Sequence, residues 1–132
     1  MSHHCAVAIR KPFLLLAASF TFALLTACSS QTPENVVNDF LKALTSGRFD
    51  DACGYAAAAE KGDCQKAYKA NPVDVNNAIK RCGEMDISTT LISKDANHAR
   101  VSATEKCKKS GETRNEQWSL IKESGGWKLT FK

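Results

Sequence analysis

The last third of the chain alternates apolar and polar residues, and this pattern constrains the fold more than any other feature. Alternation with a period of two is typical of β-strands that bury one face. Four such segments follow one another, around residues 87–91, 99–103, 118–120 and 127–131. They are separated by three turn signals, at residues 95–97, 110–111 and 125–126. Connections this short predict an antiparallel meander of four strands.

These turns also predict how the strands pair. If they are tight, one apolar row crosses the whole sheet, consisting of Leu91, Val101, Leu120 and Phe131. The same register places Ala103 opposite Trp118 and the acid Glu123 opposite Lys128. Because the apolar members share one face, we expect that face to be buried and the other to be largely solvated.

The residues before this region have helical spacing instead. Thr32 followed by Pro33 and an acid is typical of a helix start. Apolar residues then recur on one helical face, and Gly47 is the expected end of this first helix. Three further helices are predicted, from Asp50 or Asp51 through residues 56–59, over residues 63–70 and over residues 74–82.

This order of elements predicts an α+β fold, with N-terminal helices packed on one face of a curved four-stranded antiparallel sheet. The core is expected where the first helix meets the sheet. It would consist of Val37, Phe40, Leu41 and Leu44 against Leu91, Val101, Trp118, Leu120, Leu129 and Phe131.

Two stretches sharpen this prediction. The segment ENVVNDFLKALTSGRFDDAC (residues 34–53) resembles the opening of cone-shaped domains in the nuclear-transport-factor-2-like (cystatin-like cone) superfamily. The segment EQWSLIKESGGWKL (residues 116–129) resembles the closing hairpin of one branch, which comprises bacterial lipoproteins of unknown function. The resemblance implies a curved sheet wrapped around the first helix, with a cavity at the open end of the cone. Some members of the superfamily use that cavity for isomerase or dehydratase chemistry.

The N-terminus resembles a bacterial lipoprotein signal. Arg10 and Lys11 precede an uncharged apolar run over residues 13–26, which is shorter than the roughly 20 residues of a membrane span. The run ends in Leu-Thr-Ala before Cys28, which resembles a lipobox. This implies a signal peptide over residues 1–27, a lipidated tether over 28–32 and one domain over 33–132. Since Ser29 follows the cysteine, we expect a lipid anchor at the periplasmic face of the outer membrane.

Four further cysteines predict a disulfide framework, because an even number in an exported chain is typical of one. Successive cysteines are separated by 11, 18 and 25 positions, so the set lacks the closely spaced pairs that are typical of a structural zinc site. We favour Cys53 with Cys64 across a helical hairpin. The strand register places Cys107 opposite Met85, which favours Cys107 with Cys82. The two other pairings remain open from the sequence.

No constellation of catalytic residues and no metal or cofactor motif is recognisable. By the alternation of side chains along its strand, Glu105 falls on the same face as the buried apolar row. With Trp118 near it, Glu105 is a candidate polar residue of a pocket. The only histidine after the signal, His98, belongs to a turn. Three lysines form a short basic cluster, Lys106, Lys108 and Lys109. The net charge of +4 is too modest to indicate a nucleic-acid binder.

The sequence therefore predicts a lipid-anchored binding or interaction module of the cell envelope. Its partners would be the membrane, through the lipid on Cys28, and a small ligand or an envelope protein. One alternative is an envelope enzyme of the isomerase- or dehydratase-like branch. Another is a structural or inhibitor lipoprotein that acts without a pocket.

Overall fold

The computed structural model describes residues 31–132, which form four helices followed by four strands. The helices are α1 (Pro33–Thr45), α2 (Phe49–Cys53), α3 (Lys61–Ala70) and α4 (Pro72–Cys82). The strands are β1 (Met85–Lys94), β2 (His98–Cys107), β3 (Thr113–Glu123) and β4 (Gly126–Thr130). The strands form one antiparallel sheet in chain order, so the α+β prediction is confirmed.

Helix α1 begins and ends at the predicted signals. The Thr32 side chain accepts a hydrogen bond from the backbone N–H of Asn35 at 3.3 Å, and Pro33 occupies the first turn. Beyond the helix end, Gly47 has a positive φ of 72°, which a side chain would disfavour. One face of the helix is buried against the sheet.

The second predicted helix is wrong over residues 56–59. Helix α2 ends at Cys53, and the chain then runs beside the edge of β4. The N–H of Leu129 donates to the carbonyl of Tyr55 at 2.9 Å, and the N–H of Ala57 donates to the carbonyl of Leu129 at 2.8 Å. Pairing with an open strand edge therefore outweighs the helix propensity of the alanines.

In the second and third hairpins, the register of the paired strands differs from the prediction by two residues. In the first hairpin, Leu91 lies opposite Val101, as predicted. In the next pair, Val101 faces Trp118 and not Leu120. In the last, Leu120 faces Leu129 and not Phe131.

The physical reason is the length and position of the turns. The connection between β2 and β3 spans residues 108–112, in place of a tight turn at 110–111. The last turn is formed by residues 124–125, so that Glu123 lies opposite Gly126 and not Lys128. A shift of two residues keeps each side chain on its own face, because the side-chain period of a strand is two.

The core lies between α1 and the sheet, as expected, but two of its predicted members do not belong to it. Leu91 is 37% exposed and Phe131 is 45% exposed, while Leu44 and Trp118 are partly buried against the core. The fully buried large side chains are Val36, Val37, Phe40, Leu41, Val101, Leu120 and Leu129. Leu91 lies near the hairpin end of β1, beside a bulge at Ile92, whereas Ile87 further along the same outer strand packs against the core.

Two disulfides attach α3 and α4 to the rest of the domain. Cys53 at the end of α2 is joined to Cys64 in α3, and Cys82 at the end of α4 is joined to Cys107 at the end of β2. These are the two pairs that the sequence favours. In both helices the cysteine is the buried residue, so the disulfides are the main attachments of α3 and α4.

Cys28 and the predicted signal lie outside the described residues. Within residues 31–132, no helix has the length and hydropathy needed to cross a membrane.

Candidate functional site

A buried carboxylate stands out on the core-facing side of the sheet. Along β2, this side carries the small residues Ala99, Val101 and Ala103, and the next position on the same side is Glu105. Glu105 is only 7% exposed, although a charged side chain is seldom buried without a partner. No residue in the described range forms a hydrogen bond or ion pair with its carboxylate, and the carboxylate oxygens keep a small contact with solvent.

The neighbours of Glu105 make its charge more costly. Arg114 lies opposite it in β3, but the guanidinium is paired with Glu116 at 3.5 Å. Glu116 is two positions further along β3 and on the same face as Glu105. Burial, and then the negative charge of Glu116, raise the pKa of the Glu105 carboxyl, while Arg114 lowers it to a smaller extent. The protonated form of Glu105 is thus favoured relative to a free glutamate.

The register places Trp118 further from Glu105 than the sequence predicted. Trp118 lies opposite Val101, and Glu116 takes the position opposite Ala103 that was predicted for Trp118. The Trp118 ring packs edge-on against Phe40 with 5.2 Å between the ring centroids. Its indole Nε1–H is buried without a hydrogen-bond partner among the described residues.

Helix α3 places an aromatic side chain, Tyr68, near Glu116. Tyr68 stacks on Phe49 with 5.3 Å between the ring centroids. Burial and the negative charge of Glu116 both raise the pKa of the Tyr68 hydroxyl. The sequence had shown Tyr68 only as a helical residue, because its approach to the sheet depends on how α3 is attached.

The end of the chain completes this group. The backbone N–H of Phe131 donates to the Glu60 carboxylate at 2.6 Å, which fixes Phe131 beside α3. The Phe131 ring lies 6.4 Å from the Trp118 ring between centroids. A cleft of about 440 Å³ opens between α3 and the chain end, lined by Glu60, Asp63, Cys64, Ala67, Tyr68, Phe131 and Lys132.

We call Tyr68, Glu105, Glu116, Trp118 and Phe131 the acidic–aromatic cluster. It combines two carboxylates, one of them on a buried residue, with three aromatic rings, and of its members only Tyr68 and Phe131 belong to the lining of the cleft. A carboxylate attracts a cation by Coulomb forces, and an aromatic face attracts it through the ring quadrupole. The chemistry of the cluster is therefore suited to a positively charged group.

The comparisons with known proteins concern the fold. The sequence matches no protein-family model, and no curated protein is significantly similar to it. Among solved structures, it is similar to the crystal structure of a Campylobacter jejuni protein provisionally named an NTF2-like transpeptidase. The match covers 77% of this chain and 100% of that chain, with a TM-score of 0.62 and 18% identity. The fold is an NTF2-like cone.

The predicted resemblance to this fold is confirmed at the level of architecture. Since the identity is 18%, the likeness shows the fold alone, and the name transpeptidase belongs to the Campylobacter protein. Within the NTF2-like cone of this chain, the acidic–aromatic cluster lies where the start of β3 and the end of β4 meet α3.

The remaining candidate groups lie elsewhere on the cone. His98 is exposed at the first hairpin, where its Nδ1 lies 3.5 Å from the carboxylate of Asp95. The backbone N–H groups of Asn97 and His98 donate to Asp95, each at 2.7 Å, and lower the pKa of its carboxyl. These contacts are those of a turn. In the part of the chain that the structure describes, no three His, Cys, Asp or Glu side chains are grouped for a metal ion.

Proposed function

We propose that this chain is a lipid-anchored binding module of the cell envelope. Its acidic–aromatic cluster would bind a small molecule that combines a positively charged group with a flat apolar body. The observation that carries this proposal is the burial of Glu105 without a charge or hydrogen-bond partner in the described range.

The energetic argument starts from the unbound state. A largely buried carboxylate that keeps only a small contact with solvent carries part of the desolvation cost of an unsatisfied polar group, which is roughly 1–3 kcal/mol. A cation placed between Glu105 and Glu116 would remove this penalty and the repulsion between the two acids. A cation would therefore gain more from these two carboxylates than from an exposed pair, which supports a binding role for the site.

The aromatic members supply the second part of the recognition. Tyr68 and Phe131 line a cleft of about 440 Å³, which is within the usual size range of small-molecule pockets. Phe131 is 45% exposed, so its ring is accessible to a ligand. Flat apolar ligands stack favourably on such rings.

The anchor follows from the lipobox at Cys28. Only residues 28–32 separate the acylated cysteine from α1, and five extended residues span about 17 Å. Such a tether would hold the domain close to the bilayer. The two disulfides agree with an oxidising envelope compartment, where such bonds persist.

The experiment compares two probes that differ in charge. Benzylammonium and benzyl alcohol share the same ring, so calorimetric titration of the full chain with both isolates the contribution of the cation. We expect benzylammonium to bind, and Glu105→Gln to weaken its binding about tenfold. The matched control is Glu112→Gln, which removes one negative charge from an exposed position in the β2–β3 connection and should leave binding unchanged.

Two results would contradict the proposal. Equal binding of benzyl alcohol and benzylammonium would show that the charge plays no part. Unchanged binding of benzylammonium to Glu105→Gln would show that the site lies elsewhere. Native mass spectrometry of the chain purified from host membranes then identifies the molecule that it carries.

A further inference from the structure

A second surface of the domain collects positive charge. Helix α4 and the β2–β3 connection line an open groove of about 670 Å³, which shares no lining residue with the acidic–aromatic cluster. The groove is lined by Asp74, Asn77, Lys80, Arg81 and Lys109. Three of these five residues are cationic and one is acidic, so the groove is positive overall.

The two sides of the groove are rigidly joined. The disulfide between Cys82 and Cys107 ties the end of α4 to the end of β2. The backbone N–H of Lys109 donates to the carbonyl of Cys82 at 3.2 Å. Gly83 allows this close approach, because a Cβ at that position would lie 3.3 Å from the Cβ of Lys109. Lys109 is thus held beside the last turn of α4.

The structure also separates the lysines that form one cluster in the sequence. The Lys108 Nζ lies 3.0 Å from the Glu84 carboxylate and 3.5 Å from that of Asp86, and hydrogen bonding to Glu84 raises the pKa of Lys108. Lys108 is therefore neutralised within the domain. In contrast, no carboxylate of residues 31–132 lies within 4.0 Å of the charged groups of Lys80, Arg81 or Lys109.

An exposed apolar side chain accompanies these charges. Val73 is 68% exposed, the highest value among the large apolar residues described. Val73, Asn77 and Lys80 follow the spacing i, i+4, i+7, which places them on one face of α4. This face is not the one that packs on the domain, because the partly buried residues Val75 and Ile79 project from another side of the helix.

From this juxtaposition we propose that the outer face of α4, with Lys109, binds an anionic membrane surface. The three cations would contact lipid phosphates, and Val73 would enter the boundary between head groups and acyl chains, as in interfacial helices. Val73 favours a lipid surface over free phosphate, because a soluble anion has no apolar part to contact it. This surface is independent of the acidic–aromatic cluster.

Hydrogen exchange on reconstituted full-length chain tests the proposal. The vesicles consist of phosphatidylcholine alone or mixed with phosphatidylglycerol, so the N-terminal segment is anchored equally in both. We expect anionic lipid to slow exchange of the α4 amides at least tenfold, and added salt to reverse the effect. Val73→Ser should weaken the protection, whereas Glu105→Gln should leave it unchanged.

Charge variants provide the matched comparison. A chain with Lys80→Gln, Arg81→Gln and Lys109→Gln should lose the protection, since each cation near such a surface contributes about fivefold in affinity. The control carries Lys61→Gln, Lys66→Gln and Lys69→Gln on α3, which removes the same charge, and should retain it.

Three results would overturn the proposal. Equal α4 exchange in both kinds of vesicle would show that anionic lipid is not recognised. Equal loss of protection in the control variant would show that the effect depends only on the net charge of the domain. Protection by inorganic phosphate alone would indicate a phosphate site in place of a membrane surface.

Discussion

The substitution Glu105→Gln separates a binding carboxylate from a structural one. If Glu105 stabilised the fold, removing its charge would weaken the domain. The structure indicates the reverse for the ligand-free protein, because Glu105 as a residue is 7% exposed and its carboxylate lacks a partner within the described residues. We therefore expect the Gln variant to be more stable than the wild type at neutral pH, although it binds its ligand more weakly.

The magnitude follows from the cost of a buried unsatisfied group. Gln keeps the volume and polarity of Glu but carries no charge, and the carboxylate oxygens retain some solvent contact, so only part of the penalty is removed, about 1 kcal/mol. For a domain of this size, about 1 kcal/mol corresponds to a Tm change of roughly 4–8 °C. Thermal unfolding of both proteins, followed by circular dichroism, measures this difference directly.

The pH dependence gives an independent check. Burial raises the pKa of Glu105 above its ordinary value of 4.5, so in the window above 4.5 the folded state binds more protons than the unfolded state. The free energy of unfolding of the wild type then falls as the pH rises through this window. The stability difference between Gln variant and wild type should be near zero below pH 4.5 and grow toward neutral pH.

Glu116→Gln serves as the control, because Glu116 is more exposed and paired with Arg114. Its effect on stability should remain below about 1 kcal/mol, as for other exposed ion pairs. A Glu105→Gln protein that unfolds at a lower temperature than the wild type at pH 7 would refute the reasoning.

Three further predictions concern the core, the anchor and the cysteines. Leu120→Ala should cost about 2–5 kcal/mol of stability and Leu91→Ala far less, since only Leu120 is fully buried; equal losses in chemical denaturation would contradict the register. Intact-mass analysis of membranes should show a chain beginning at Cys28 with added acyl mass, and Cys28→Ala protein that is still processed and anchored would exclude lipidation. Non-reducing peptide mapping should recover Cys82 linked to Cys107, whereas four free thiols would exclude the framework.

The pairing of the strands could be predicted only where side chains in the turn form local hydrogen bonds that determine its geometry. In the first hairpin, Asp95 accepts the N–H groups of Asn97 and His98, and this arrangement fixes the turn at the predicted residues. The pairs next to the turn are shifted by one residue, with Lys94 opposite Ala99, and a bulge at Ile92 restores the predicted pair of Leu91 and Val101. The later turns contain glycines that permit several geometries, so the sequence could not distinguish a tight turn from the five-residue connection. The hydrophobic pattern could not correct the error, because a shift of two residues leaves it unchanged.

The candidate site was predictable only in part. The orientation of Glu105 toward the core could be predicted from the alternation of side chains along its strand, because every register with the same buried face preserves it. The position of Tyr68 beside Glu116 could not be predicted, because it depends on where α3 is held. The error over residues 56–59 has the same origin, since an alanine-rich segment shows no sign of the strand edge that it will contact.

Helices α3 and α4 connect the two proposed surfaces to the cysteines. Each helix buries a cysteine as its main contact with the domain, while α1 and the sheet share the apolar core. Closing loops of 11 and 25 residues restricts the unfolded chain by about 3 kcal/mol each. Because Tyr68 lies on α3 and Lys80 on α4, the disulfides help to position both surfaces, together with the stacking of Tyr68 on Phe49. A reduced chain would keep the apolar core between α1 and the sheet, but α3 and α4 would lose their covalent attachment to it. The proposed ligand site and the proposed membrane contact therefore both require an oxidising compartment.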